Sequence, residues 1–308
     1  THRGGVAGEP GPAANDLLAW RTTMKIGATI VKEEIPYWEP KLLKNEWMRI
    51  FPNSDGTLPS WSDARFAYMQ RVGGEPFAST KLDGDPAKIK ALRERLLALP
   101  GWIKTLWLTD RHEPEGDVSG SAYKAHFKAY YDMIKGLPSD IRSRVKAGPV
   151  LTRQATENSG GLGTYATYDP GVGDFFGVDM YGNSWGSPAT AAATSYVDPK
   201  TFLAKVKAYS TGTRPKLFPE IGYIGLPFDK DGSKRAAWIA GITEELKTWS
   251  NFVGYIWWNA NGKTGSSISG LGTKRYFQLD RRHTGTDGSF VTLSPALPLT
   301  KLNGYKGI

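Results

Sequence analysis

Eight short apolar runs, each closing on a polar or Gly/Pro-rich loop, recur along this 308-residue chain and constrain its fold more than any other feature. They span Met24 to Val31, Trp47 to Phe51, Pro76 to Lys81, Lys104 to Thr109, Arg144 to Thr152, Phe175 to Tyr181, Lys216 to Ile221 and Phe252 to Trp258. Helical spacing fills most of the gaps. Trp61 to Gln70 is one such segment; another opens on Asp85-Pro86, a capping carboxylate before a proline suited to a first turn, and runs through Ile89, Leu92, Leu96 and Leu97 to Pro100-Gly101. Further helices are expected at Ser119 to Lys135, at Pro199 to Tyr209 behind an Asp198 cap, and at Ser233 to Trp249. The connection through Ser159-Gly-Gly-Leu-Gly163 carries the weakest helical pattern. Strand–helix alternation of this kind predicts an α/β fold, a (β/α)8 TIM barrel in a single domain, rather than a sandwich or a bundle. Residues 21–308 are assigned to the barrel, and the Gly/Pro-rich residues 1–20 to an N-terminal tail or linker.

With no cysteine, the chain can build neither a disulfide framework nor a thiolate site. Its four histidines, His2, His112, His126 and His283, form no short ligand motif, so neither metal nor cofactor is expected. No apolar stretch approaches the roughly 20 residues of a membrane span. A linker-like opening of this composition suits a protein that is secreted or held at the cell surface, and a monomer is the expected state. The net charge of +9 would draw polyanions, yet the cations are scattered along helical faces such as Lys88 to Arg95, as in a solvated surface, and no aromatic-basic module for nucleic acid stands out. The 11 Trp and 14 Tyr suit either sugar-stacking surfaces or core packing.

Parallel strands of a barrel collect their C-terminal ends on one face, where side chains distant in sequence meet. Glu113, in Trp107 to Glu115, follows the fourth run, and Glu220, in Lys216 to Tyr223, ends the seventh. A carboxyl pair held roughly 5–5.5 Å apart can cleave a glycosidic bond with retention, one as acid and one as nucleophile. Asp110, Glu115 and Asp179 are competing carboxylates near strand ends.

The motifs Arg111-His-Glu-Pro114 and Phe218-Pro-Glu-Ile-Gly222 resemble those of the retaining glycoside hydrolases of clan A. The resemblance implies that Glu113 is the acid/base and Glu220 the nucleophile. His112 before Glu113 is similar to the His-Glu pair of family 26, a group rich in β-mannanases, although Pro114 to Val118 stands where an aromatic cluster often follows. By the same resemblance Tyr181, in Asp179-Met-Tyr-Gly182, hydrogen-bonds the nucleophile, and Trp257-Trp258-Asn259 supplies the floor for the sugar. Adjacent strand residues face opposite sides, so one of Trp257 and Trp258 meets sugar and the other packs outside. Arg49 resembles the arginine that keeps the nucleophile ionised, and Arg111 is placed to do similar electrostatic work. His112 bonds substrate hydroxyls, orients the acid, or is a structural histidine; Trp185 either covers a neighbouring subsite or pins its loop.

The expected function is therefore a retaining glycoside hydrolase, an endo-β-glycanase acting within a polysaccharide or oligosaccharide. Two other classes stay open: a non-catalytic carbohydrate-binding barrel and a polyanion-binding protein. Release of reducing sugar separates the first from the second, and salt-dependent retention on heparin tests the third.

Overall fold

Each of the eight apolar runs forms parallel strand, and the fifth is cut in two. The structure, a computed structural model, describes residues 24–156, 163–182, 193–259, 261–268, 272–276, 278–283 and 290–305. In chain order the parallel strands are β1 (Lys25–Ala28), β2 (Trp47–Ile50), β3 (Glu75–Thr80), β4 (Leu106–Asp110), β5 (Val145–Ala147), β6 (Val150–Thr152), β7 (Phe176–Gly182), β8 (Lys216–Tyr223) and β9 (Phe252–Trp257). Strands β5 and β6 are the two halves of the fifth run. Gly148 and Pro149 part them, and the proline has no N–H to continue a ladder.

The strands make two parallel sheets, one ordered β2-β3-β4-β5 and the other β1-β9-β8-β7-β6. An unbroken ring of ladder bonds was the expectation; the chain instead leaves two seams. One lies at Gly148-Pro149. At the other, between β1 and β2, side chains replace the ladder: Asn45 Oδ1 accepts from Ala28 N (2.8 Å), Asn45 Nδ2 donates to Ala28 O (3.1 Å), and Glu46 Oε2 accepts from Ile26 N (2.9 Å). The Asn45 amide thus offers Ala28 the pair of bonds a neighbouring peptide group would. The approach is close enough that a Cβ on Gly27 would lie 1.9 Å from Trp47 O, which excludes any larger residue there.

Helices follow the strands with caps legible in the sequence. They are α1 (Ile35–Trp38), α2 (Ala64–Val72), α3 (Pro86–Leu97), α4 (Gly120–Lys135), α5 (Ser139–Arg142), α6 (Tyr165–Tyr168), α7 (Pro199–Ala208), α8 (Ser233–Lys247) and α9 (Leu297–Asn303). Asp85 accepts from Ala87 N at the start of α3, Ser119 from Ala122 N at α4, and Asp198 from Thr201 N at α7, each closing an amide that the first turn leaves open. The weak connection after β6 has, among the described residues, only a 3₁₀ turn (Arg153–Thr156) and one turn of helix, α6. Beyond β9 the chain adds two antiparallel pairs, β10 (Asn261–Ile268) with β11 (Gly272–Tyr276) and β12 (Arg281–His283) with β13 (Phe290–Thr292).

Apolar packing divides in two. The outer faces of the sheets and the helices share one large buried cluster; the faces the sheets turn inward share a smaller one of Trp47, Phe77, Trp107, Val150, Phe175, Leu217, Val253 and Ile256. Glu75 closes the end of this inner cluster, accepting from Trp47 Nε1 (3.2 Å) and Trp107 Nε1 (2.7 Å) and pairing with Lys25 (2.8 Å). Two residues on from Trp47, Phe77, Trp107 and Val150, the inner-face positions carry Arg49, Ser79, Thr109 and Thr152. No helix among the described residues is long and apolar enough to cross a membrane.

Candidate active site

Glu220 faces inward because β8 is bulged. Gly177 on β7 pairs with Leu217, and Asp179 with Glu220, so two steps on β7 span three on β8. The extra residue reverses the alternation, which lets Leu217 join the inner apolar cluster and Glu220 face the same way. Pro219, with no N–H, sits within the bulge. A similar slip on β9 lies between Gly254 and the residues around it, and Val253 and Ile256 both face inward as a result. Alternation then turns Trp258 inward and Trp257 out.

Glu113 is held by a different device. Arg111 and Glu113 both take left-handed backbone, with φ of 46° and 53°, although neither is glycine. Such residues cost on the order of 1–3 kcal/mol each and persist where surrounding bonds hold them. Here Arg111 N donates to Thr80 O (2.8 Å) and Glu113 N to Val150 O (3.0 Å), fixing the turn to β3 on one side and β6 on the other. Left-handed geometry immediately before Pro114 is a further sign of a position set by the fold rather than by local preference.

The two glutamates sit in opposite surroundings. Glu220 is buried and receives Arg49 Nε at 3.1 Å on Oε1 and the Tyr181 hydroxyl on Oε2. Arg49 is wholly buried, its guanidinium 4.9 Å from the Phe77 ring centre and 5.4 Å from that of Phe51. Among the described residues no such cation bonds Glu113: burial first, then the charges of Glu220 and Glu115, push its carboxyl up to about 8. At neutral pH it keeps its proton. Solvent reaches Glu113 and His112 in part, while protein crowds their remaining sides. Burial, reinforced by Arg49, Lys81 and Arg111, holds His112 well below the usual histidine range, so the ring is neutral.

Aromatic rings line the opening. Phe51 meets His112 edge-on at 5.6 Å and Trp258 at 5.4 Å, and Trp258 meets Tyr181 at 6.4 Å. Trp258 is thus the member of the tryptophan pair beside the carboxylates. Trp257 packs on the outer side, buried against Trp238 of α8 at 6.1 Å. Two other expectations change. Arg111 pairs with Asp83 and with Asp117 (2.8 Å) at the rim rather than with Glu220, because the left-handed turn aims its side chain away from β8. Asn259 is fully buried, its Oδ1 accepting from Leu279 N (2.9 Å); it offers a ligand no surface and ties down the C-terminal segment. Trp185, residues 1–20 and most of the Ser159 to Gly163 connection lie outside the described residues.

Of the competing carboxylates, Asp110 accepts from Thr80 Oγ1 (2.9 Å) and Leu82 N (2.8 Å) and is a strand-end tie. Glu115 accepts from Thr152 N (2.8 Å), and burial pushes it up to about 7. Asp179, in register beside Glu220, is buried, and that burial followed by the charge of Glu220 raises its carboxyl well above the usual range. Phe51 was overlooked as a site residue; its position two residues after Arg49 at a strand end was the available signal. Among the described residues no group of three or more acidic, His or Cys side chains could hold a metal ion.

The fold is one shared by enzymes that cleave glycosides. The chain is similar to a GH128 (subgroup II) endo-beta-1,3-glucanase from Sorangium cellulosum, with a TM-score of 0.52 and 15% identity over 89% of this chain and 97% of that one. It is also similar to a beta-glucuronidase of Bifidobacterium dentium (TM-score 0.55, 13% identity, 92% of this chain and 46% of that one) and a beta-glycosidase from Pyrococcus horikoshii (0.53, 12%, 89% and 85%). At such identities the likeness is one of fold. No family profile matches the chain, and no curated protein matches it by sequence.

Proposed function

We propose that this chain is a retaining glycoside hydrolase with Glu113 as acid/base and Glu220 as nucleophile, on a (β/α)8 barrel whose two sheets are arcs of one ring. The opposite environments of the two glutamates carry this assignment: one carboxyl protonated at neutral pH, the other bonded by a buried arginine and a tyrosine. Glu113 gives its proton to the glycosidic oxygen as Glu220 attacks the anomeric carbon; the bond to the leaving sugar breaks and a glycosyl ester forms on Glu220. In the second half, Glu113, now a carboxylate, takes a proton from water as the water oxygen attacks the same carbon and frees Glu220. Two inversions leave the configuration unchanged.

Trp258, flanked by Phe51 and Tyr181, offers the flat apolar surface against which a sugar ring stacks, and neutral His112 can donate or accept toward its hydroxyls. His112-Glu113 keeps the dipeptide that resembles family 26, and internal cleavage of a β-linked polysaccharide is the activity we assign. The test is release of reducing sugar from a panel of β-1,3-glucan, mannan, xylan and mixed-linkage glucan, followed by azide rescue on an aryl glycoside of the preferred sugar, whose leaving group departs without acid help. Azide should restore Glu220→Ala with inverted product and Glu113→Ala with retained product. The opposite pattern reverses the roles, and no cleavage of any β-glycan overturns the assignment.

A further inference from the structure

Level with Glu220 the inner face carries a ring of polar side chains of which the chemistry above uses only Arg49, through its Nε. Arg49 lies on β2, Ser79 on β3, Thr109 on β4, Thr152 on β6 and Asp179 on β7, with Thr29 just past β1. Register links them: Ser79 pairs with Thr109, Thr152 with Asp179, and Asp179 with Glu220. Arg49, Ser79, Thr109 and Thr152 each stand two residues beyond a member of the inner apolar cluster, Trp47, Phe77, Trp107 and Val150, so alternation turns them to the same face. Ile26, Ala28 and Ile30 belong to the outer cluster, which turns Thr29 inward as well.

Every free polar atom of this ring is buried. Thr29 Oγ1, Arg49 Nη1 and Nη2, Ser79 Oγ, Thr109 Oγ1, Thr152 Oγ1 and both oxygens of Asp179 have no protein hydrogen-bond partner among the described residues. Buried polar groups in folded proteins are nearly always paired, and orphaned ones on six neighbouring residues would cost more than the margin by which a domain is stable. The unmet demand is mixed. Arg49 can only donate, the hydroxyls donate and accept, and Asp179, raised by burial and by Glu220, can do both while protonated. A cation is disfavoured beside the guanidinium, and an anion beside Asp179 and Glu220. A small neutral molecule that both donates and accepts satisfies all of them.

We propose that this ring is an internal hydration site, in which ordered water bridges Arg49 Nη1 and Nη2 to Asp179 and to the hydroxyls of Thr29, Ser79, Thr109 and Thr152. Water there occupies the two outer nitrogens of the guanidinium and leaves Nε for Glu220, so the ring acts as the seat on which Arg49 is aimed. The inference stands on burial, register and the unpartnered atoms of the ring and is independent of any activity.

Valine has the shape of threonine without the hydroxyl, so Thr29→Val, Thr109→Val and the pair together test it by sign. If the hydroxyls hold water, each variant should melt roughly 2 °C or more below the parent. A dry, unsatisfied hydroxyl replaced by a methyl group should instead leave the melting temperature unchanged or raise it, and either result overturns the proposal. A high-resolution crystal structure of the parent chain is the second arm and does not depend on the variants folding. Water density within about 2.7–3.2 Å of Arg49 Nη and an Asp179 oxygen is expected. A dry ring, or one closed by direct contacts between its side chains, would refute it.

Discussion

Replacing Glu113 by Gln removes an acid but, by the physics of its site, should strengthen the fold. The carboxyl is raised from 4.5 to about 8, with burial the largest cause. The sign follows from which state holds the proton: between those two values the folded chain keeps it and the unfolded chain has lost it, so the folded state binds more protons and stability falls as pH rises. This group's contribution is complete below about pH 4.5 and lost through about pH 8. At about 1.36 kcal/mol per unit, the loss approaches ~3 kcal/mol by pH 7 and ~5 kcal/mol above pH 8, less whatever water entry and relaxation return. Glutamine keeps the shape and never ionises. Glu113→Gln should therefore match the parent near pH 4, exceed it by up to ~3 kcal/mol at pH 7, and exceed it by more at pH 9. Denaturant unfolding followed by tryptophan fluorescence at the three pH values reads this directly. A difference that does not grow with pH would refute the account, and so would a variant weaker than the parent at pH 9.

Glu113 should also set the alkaline limb of any glycosidase activity, with kcat/KM falling above about pH 8 as the proton needed by the leaving group is lost; a limb near pH 5 would contradict it. Trp257→Ala should cost about 3–5 kcal/mol of folding stability, whereas Trp258→Ala should spare most of the stability and lower kcat/KM. Comparable loss of stability in both would mean that Trp258 is core. Arg49→Met should cost about 3–5 kcal/mol, because Glu220 is then a buried carboxylate without its cation; unfolding midpoints that barely move would show the pair to be dispensable.

Period and punctuation made the strands legible. Runs such as Lys216 to Ile221 and Phe252 to Trp258 needed only apolar content and a closing loop, and Asp85, Ser119 and Asp198 announced their helices through capping chemistry. Strand phase was harder. Simple alternation from Leu217 puts Glu220 on the wrong face, and only the bulge, visible in the pairing with β7, restores it. The same holds for the tryptophans, where alternation said that the two differ but not which faces inward. Arg49 stood out in the sequence only through a resemblance, since its partner is 171 residues away. The hairpin strands after Asn259 escaped notice because Asn261 to Ile268 is rich in Gly, Ser and Thr and carries no apolar run. Asp179 was one strand-end carboxylate among several; its burial comes from strands that pack around it.

The two seams described in the fold have a mechanical consequence. They fall at both ends of the four-stranded sheet, so the parallel strands form two shells that meet along lines without ladder bonds. Arg49 and the turn bearing His112 and Glu113 belong to one shell, and Tyr181, Glu220 and Trp258 to the other. A slip of one shell past its neighbour therefore alters the gap between the glutamates while leaving each sheet undistorted. Asn45 and Glu46 act as the latch at one line, the bond from Glu113 N to Val150 O ties the other, and the Arg49–Glu220 pair is a strut across the middle. Weakening the Asn45 latch would loosen the spacing of the carboxyls from a distance, without touching either of them.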